Sequence, residues 1–502
     1  MKIAILDGYV DEPSCLGVPP YISPYPRYIY GMLKKLGFNA IYTTIDALRE
    51  NYRLKRSLYD FDLVIVIAGM VVPGKYIGGK PLGLKELISL FPADRPERKI
   101  LVGPIVLEIS KKERKMLENY KIFDFPFESE LFGFLCKLSD GASNSANNAD
   151  RNFVNEFSLL GAEIVKQHPD FPYIVCEIET YKGCYWRKCS FCIERIHGFP
   201  SERDPKAVIA EIEALYENGC RYFRIGNQTD FFSYMGDFSK EVPKPNPSLM
   251  RSFHRAIWER CPKIKTLHMD NANPKTIATW PEESKEIIKT IVTYQTPGNI
   301  AAMGLESADD RVVEANNLAA NPDEVMEAIK LVNVYGKQIG HNGLPCFLPG
   351  LNFVIGLKGE TKETFEANYS FLEEILERNL WLRRINIRQV KIFPNTPMEG
   401  FGDRLLRKHR REFKIFKEKV RKNIDRVLLR KMLPVGRKIT DVRCEYSEGN
   451  YTYGRQLATY PLLVAIKGNY PRNKFLNVRI IDYGMRSVTG VEDNLKMGGS
   501  AR

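Results

Sequence analysis

The stretch Gly183-Cys184-Tyr185-Trp186-Arg187-Lys188-Cys189-Ser190-Phe191-Cys192 constrains this chain more than any other. Three cysteines fall within nine residues, and the other seven of the ten stand singly. A structural zinc site closes its coordination with four ligands. Neither a fourth cysteine nor a histidine stands at such an interval here. Three thiolates on a short loop suit instead a [4Fe-4S] cluster with one iron open to another ligand. The plainer readings are ordinary cysteines, or a zinc site completed by a distant ligand. Disulfides are disfavoured by the scattered spacing and by the start, MKIAILDGYV, which reads as a first strand and not a secretory signal.

From Tyr181 to Cys192, led in by Glu177-Ile-Glu-Thr180, the chain resembles the cluster loop of the radical SAM superfamily. The usual spacing there is C-x3-C-x2-C, and here the first gap is one residue longer. The resemblance implies Cys184, Cys189 and Cys192 as metal ligands. It implies a [4Fe-4S] cluster and S-adenosyl-L-methionine as cofactors, with Phe191 packing near the adenine. Gly304-Leu305-Glu306-Ser307 is similar to the segment after the fourth strand, so Glu306 and Ser307 would face the ribose or amine. Phe353 to Thr361 resembles F-x-x-G-L-P-G-E-T, with Lys358 in place of proline. Gly356 and Gly359 would let the backbone approach the cofactor, while Glu360 and Thr361 would alternatively cap the next helix. Phe393-Pro-Asn-Thr-Pro397 is similar to the segment after the sixth strand. Asn227 and Gln228 stand where the family contacts the methionine amine, although no Glu is present there. The implied chemistry is reductive cleavage of S-adenosylmethionine to a 5′-deoxyadenosyl radical, which takes hydrogen from an unreactive carbon.

At 502 residues the chain is expected to form two to four domains. Strands and helices alternate over residues 1–137, which predicts an α/β, doubly wound parallel sheet. This part resembles the Rossmann-like, cobalamin-binding-type domain that precedes many radical SAM cores. The resemblance rests on Pro19, Pro20, Pro24 and Pro26, on Phe61 to Gly69, on Ile100 to Pro104 and on Phe127-Glu-Ser-Glu130. None of the six histidines precedes residue 168, so cobalamin here would bind without a histidine ligand. The polar run Lys137 to Arg151 predicts a linker over 138–170. Six strand–helix units over 171–400 resemble the radical SAM partial (β/α)6 barrel. Residues 401–436 read as a basic amphipathic helix, with Leu406, Phe413, Phe416, Val420, Ile424 and Val427 on its buried stripe. Short β-type runs over 437–493 predict a small OB-like β-barrel that resembles a TRAM domain at Tyr453-Gly-Arg-Gln456. The tail is 494–502.

The net charge is +13, and from Phe401 to Glu445 there are 16 Lys/Arg against 6 Asp/Glu. Such a patch predicts an anionic partner, RNA and in particular tRNA, met by the basic helix and the C-terminal barrel. A solvated charged helix is the plainer alternative. An electron donor such as ferredoxin or flavodoxin is the second expected partner. No apolar run is long enough for a bilayer, so a cytoplasmic protein is expected. Competing readings are action on a small molecule, lipid or peptide, and a cluster-bearing RNA-binding protein without enzymatic activity. A second cluster is unsupported. Methylthio transfer is disfavoured, because the first domain holds only Cys15 and Cys136 where methylthiotransferases carry three.

Overall fold

The first strand, β1 (Ile3–Asp7), is buried at every position, as befits a strand covered on both faces of a parallel sheet. The computed structural model describes residues 1–11, 17–70, 77–91, 98–139 and 150–493. Cys15, most of the polar run after Lys137 and the tail 494–502 lie outside the described residues. The described chain forms two compact units, 1–276 with 391–402, and 277–390 with 403–502.

In the first unit β1 is followed by β2 (Tyr21–Ile22), β3 (Ala40–Thr44), β4 (Leu63–Ile67), β5 (Lys99–Val102) and β6 (Lys121–Ile122). All but β2 join one parallel sheet in the order β3-β1-β4-β5-β6. Leu6, Val66 and Leu101 lie at the centre of its core. Strand β2 leaves that sheet and pairs with β7 (Val175–Glu179). The proline-rich stretch read as loop therefore contains a strand. The hairpin strands β8 (Tyr181–Lys182) and β9 (Ser201–Glu202) follow, then β10 (Tyr222–Gly226) and β11 (Thr266–Met269). The second sheet runs β11-β10-β7-β2.

The predicted linker is corrected in its later part. Residues 151–167 form a 3-10 turn, the helix Asn155–Leu160 and a second 3-10 turn. The reason is apolar burial: Val154, Phe157, Ile164 and Val165 are at most 2% exposed. This helix packs on Tyr25–Lys35 so closely that a Cβ on Gly31 would lie 2.0 Å from the Phe157 carbonyl oxygen. Only glycine permits that approach.

The second unit opens with the helix Pro281–Tyr294, which the sequence reading omitted although Pro281, Glu282 and Glu283 mark its start. Strands β12 (Asn299–Glu306), β13 (Phe347–Ile355) and β14 (Arg384–Gln389) form a parallel three-stranded sheet. The helical run Arg404 to Met432 contains a π-turn over Arg421–Asp425. That turn adds a residue to the helix phase. Phe416, Val420 and Ile424 are buried as expected, but Leu428 then replaces Val427, which is 38% exposed. The chain ends in a closed barrel, β15 (Lys438–Glu448), β16 (Tyr451–Arg455), β17 (Leu463–Lys467), β18 (Phe475–Tyr483) and β19 (Ser487–Glu492). Among the described residues no helix is long and apolar enough to cross a membrane.

Candidate functional site

Strand β7 delivers the chain to the cysteine loop. It carries Glu177 and Glu179, charged residues in a fully buried strand, and each has a cationic partner. Arg224 donates to both Glu177 oxygens at 2.6 Å. Arg151 holds Glu179 at 2.5 Å and Glu128 at 3.0 Å. Lys182 lies 3.6 Å from both of these carboxylates and donates to the Tyr25 hydroxyl at 3.2 Å. Its ammonium also stands 4.2 Å from the centre of the Phe125 ring. The sequence reading missed Arg151, Glu179 and Lys182. Two carboxylates spaced by two in an otherwise apolar strand were the available signal, because buried charges need partners.

The loop itself is closed at its base. Strands β8 and β9 pair antiparallel, Tyr181 with Glu202 and Lys182 with Ser201. Inside them, Cys184 N–H donates to the Gly198 carbonyl at 3.1 Å. Gly183 takes φ +101°, and a Cβ there would meet the Phe199 carbonyl oxygen at 2.7 Å. The loop after β10 braces it: Thr229 donates to the Gly183 carbonyl at 3.0 Å, and Tyr181 donates to the Asp230 carbonyl at 2.8 Å. Met398 N–H donates to the Ser190 carbonyl at 3.1 Å, so the segment carrying Phe393 is tied to the cysteine loop.

Cys184, Cys189 and Cys192 are half-buried and outside any disulfide. Burial pushes the Cys184 thiol up, and it pushes Cys192 well up, helped by Cys189, Glu194 and Cys184. The thiols are therefore close enough to oppose one another's ionisation, and a cationic centre among them would reverse that effect. Among the described residues no three His, Cys, Asp or Glu side chains converge on a single ion position. Three separated soft donors with no fourth fit a cluster with three protein-held irons better than a closed zinc site.

The other expected contacts divide. Phe191 and Phe393 are half-buried in the first unit. Asn227, at φ +56°, donates to Glu179 at 2.5 Å. The Gln228 amide is spent internally, donating to the Asp270 carbonyl at 2.7 Å and the Ile225 carbonyl at 3.2 Å while accepting from Thr180 at 3.2 Å. In the second unit, Ser307 is almost fully buried; it donates to Asn368 at 3.4 Å and accepts from Asp309 N–H at 3.2 Å. Gly356 and Gly359 have φ of +98° and +81°. A Cβ on Gly356 would stand 2.3 Å from a Leu406 methyl, and one on Gly359 would stand 3.1 Å from the Arg311 carbonyl oxygen. Backbone shape and neighbouring side chains thus account for both glycines. Glu360 binds Gly356 N–H at 2.6 Å and His409 at 2.9 Å, and Thr361 caps the next helix.

Glu306 differs from these. It ends β12 at φ +61°, where the register with β13 slips, and its Oε2 is buried with no hydrogen-bond partner. Burial pushes its carboxyl up to about 8, with Arg388 opposing. A buried carboxyl oxygen without a partner has acceptor capacity to spare for a donor from outside the chain.

Residues 178–372 match the family model described as "Radical SAM superfamily". The chain carries a radical SAM domain there. This radical SAM enzyme is 63% identical over 497 residues to an uncharacterized protein of Archaeoglobus fulgidus, covering 99% of this chain and 90% of the relative. It is 25% identical over 310 residues to the ribosomal protein uS12 methylthiotransferase RimO of Elusimicrobium minutum, covering 60% of this chain and 64% of the relative. It is 20% identical over 437 residues to the tRNA-2-methylthio-N(6)-dimethylallyladenosine synthase of Methylacidiphilum infernorum, covering 82% of this chain and 85% of the relative. Its fold resembles that of the radical S-adenosylmethionine methyltransferase TsrM from Kitasatospora setae, solved with cobalamin and a [4Fe-4S] cluster. That match has a TM-score of 0.54 at 14% identity, over 79% of this chain and 73% of TsrM. Radical SAM enzymes use a [4Fe-4S] cluster and S-adenosylmethionine, so both cofactors belong to this chain's chemistry.

Proposed function

We propose that Cys184, Cys189 and Cys192 hold the [4Fe-4S] cluster and that the enzyme modifies an unreactive carbon of an RNA, tRNA first. When bound, the reduced cluster supplies the electron that cleaves S-adenosylmethionine to methionine and a 5′-deoxyadenosyl radical. The chain's own part is to hold, orient and shield. The β8–β9 hairpin and Thr229 fix the loop's entry, and the bond from Met398 to Ser190 fixes its middle. Glu306 supports the reading as a cosubstrate contact, since its free oxygen can accept from an amine or a ribose hydroxyl. Phe191 and Phe393 offer half-buried aromatic surface for a base.

The observation that carries the RNA reading is the C-terminal half of the second unit. The helical run exposes Arg404, Arg407, Lys408, Arg410, Lys414 and Lys422, with further basic residues beside them. Behind it in sequence the closed barrel presents Tyr446 and Tyr453 with rings stacked 5.0 Å apart at 14°, Tyr446 being 40% exposed. Positive charge on the helical run and an exposed flat ring on the barrel suit phosphates and bases respectively. The likeness to the tRNA-modifying synthase of Methylacidiphilum infernorum points the same way. A barrel of five strands in this position agrees with the OB-like, TRAM-type reading, and the β3-β1-β4-β5-β6 order agrees with the Rossmann-like one.

A second reading, methyl transfer assisted by cobalamin, is favoured by the fold likeness to TsrM. None of the six histidines precedes residue 168, so cobalamin would bind here without a histidine ligand.

Anaerobic reconstitution, with dithionite and S-adenosylmethionine added, tests the central reading. Wild type should bind iron and sulfide and form 5′-deoxyadenosine, and Cys184→Ala, Cys189→Ala and Cys192→Ala should do neither. Zinc in place of iron, with no cleavage, would sink it. Corrinoid analysis of the same preparation decides the second reading. Mass spectrometry of tRNA from cells lacking the enzyme, before and after treatment with it, decides the substrate.

A further inference from the structure

In the second unit a strand start, two loops and an irregular turn meet around one carboxylate. Within the π-turn Arg421–Asp425, Arg421 Nη1 donates to the Asp425 carboxylate, and it also donates to the Ile385 carbonyl at 2.8 Å. The bond to Ile385 holds the turn against the start of β14, where Arg383 and Arg384 stand. Both of these arginines reach Tyr460, in the loop between β16 and β17. Arg383 donates to the Tyr460 carbonyl at 3.4 Å, and the Arg384 guanidinium stands 3.8 Å from the centre of its ring. Arg486, in the turn between β18 and β19, comes within 3.9 Å of the same Asp425 oxygen that Arg421 meets. Four guanidiniums thus gather about one carboxylate, four charges less one, for a net +3.

Cations held this close oppose one another's charge. Burial, and then Arg486 and Arg384, push Arg383 down to about 10. Partial burial, and then Arg421, push Arg486 down to about 10 as well. Two of the four guanidiniums are spent inside the protein, Arg421 on Asp425 and Ile385 and Arg384 on the Tyr460 ring. The other two are not. Arg383 makes one long side-chain hydrogen bond, and Arg486, with its side chain 53% exposed, makes none among the described residues. Neither has a guanidinium nitrogen that is both buried and unpaired, so their remaining N–H groups face solvent. The backbone is irregular at the same place. Tyr460 takes φ +48°, which a residue of its size rarely adopts, and π-turns within α-helices recur at functional sites.

We infer that Arg383 and Arg486 bind a phosphodiester group of RNA, with Arg421 and Arg384 setting the positive field around it. The ligand class follows from the donors. Two guanidinium forks on separate elements suit a tetrahedral group with several acceptor oxygens. The surroundings favour a polymer over a small ion. Exposed Lys422 and Arg426 flank the π-turn, so the positive surface runs on along the helix, as successive phosphates require. The place is distinct from the cosubstrate contact. Register sets Glu306 level with Phe353 and Ile387, three positions past Arg384 and roughly 10 Å further along the strand. The cluster is therefore an anchor that holds the RNA away from the reacting carbon. This inference rests on the RNA reading above and gives it a site.

Filter binding of the full-length, reconstituted enzyme to bulk tRNA over a salt series tests this. Arg486→Gln should weaken binding at least about threefold at low salt and flatten the salt slope by ~0.7–0.9, the share of one lost phosphate contact. Arg383→Gln with Arg486→Gln should weaken it at least about tenfold and flatten the slope further. Arg486→Lys keeps the charge and should keep the wild-type slope. The change at half-exposed Arg486 carries the test if a change at the more buried Arg383 fails to fold. Wild-type binding that Arg486→Gln matches in strength and slope would overturn the inference and leave the RNA reading standing. A loss of affinity at unchanged slope would also overturn it, because the arginine would then act on the fold and not on a phosphate. If wild type itself retains no tRNA, the RNA reading fails and this inference fails with it. Cluster content and 5′-deoxyadenosine formation, measured on the same wild-type preparation, report separately on the radical SAM reading.

Discussion

Arg27 and Glu211 form a fully buried ion pair, Nη2 to Oε1 at 2.8 Å, across 184 positions of sequence. Arg203 meets the other Glu211 oxygen at 2.6 Å. The pair joins the first helix to the helix that follows the cysteine loop. Removing Arg27 leaves Glu211 paired with Arg203 alone and one buried carboxylate oxygen without its donor, which costs roughly 1–3 kcal/mol. Arg27→Met should therefore lower the urea midpoint, and a fragment beginning at residue 171 should be insoluble when expressed alone. A soluble, cooperatively unfolding fragment would show that the pairing is dispensable.

The pH dependence of Glu306 has a definite sign. Its folded carboxyl is raised from 4.5 to about 8. The stability it contributes is full below the unfolded value and is lost as pH rises through the folded one. Glu306→Gln should melt with wild type at about pH 4 and above it at about pH 9. Melting curves across that range check this, and parallel curves would refute it.

Gly356 separates a backbone role from a cofactor role. Alanine there meets both an unfavourable φ and the Leu406 methyl, and the strain alone costs on the order of 1–3 kcal/mol. Gly356→Ala should be strongly destabilised, and adding Leu406→Ala should recover part of the loss, because the two sites share one contact. If the double variant is destabilised by the sum of the two single changes, the contact is not the cause.

Phosphate contacts set a salt slope. If the basic helical run grips RNA, the logarithm of the binding constant falls with that of salt by ~0.9 per contact on a duplex and ~0.7 on a single strand. Replacing Arg407, Arg411, Lys414 and Lys422 together by Gln should flatten that slope. Tyr446→Ala should weaken binding at every salt concentration without changing the slope, since stacking releases no counterions. Filter binding over a salt series measures both.

The cysteine loop was legible because its chemistry is local: three thiols on one short stretch need no tertiary knowledge. The segment motifs at Gly304, Phe353 and Phe393 were also visible, but the work of each residue was not. Gln228 and Ser307 stand at the expected positions and spend their polar atoms on the protein itself. A linear motif does not say which way a side chain turns, and the bulge that leaves Glu306 orphaned depends on the register with β13. Strand β2 was hidden because two residues among prolines carry no periodicity. Residues 151–167 were hidden because a polar, glycine-rich run precedes them and masks where apolar burial resumes. The π-turn at Arg421 left no local signal, and its effect shows only in Leu428 taking the buried position of Val427.

The pairing of Tyr181 with Glu202 and of Lys182 with Ser201 closes a loop whose ends would otherwise diffuse apart. The conformational entropy of bringing those ends together is lost when the hairpin forms. It is not charged again to iron and sulfide uptake. The loop that presents the three thiols is therefore shaped in the polypeptide before any inorganic component arrives, so maturation fills a template and does not create one. An iron-free chain should thus stay folded and be loaded after synthesis, unlike small metal-dependent domains in which ligand and fold arrive together.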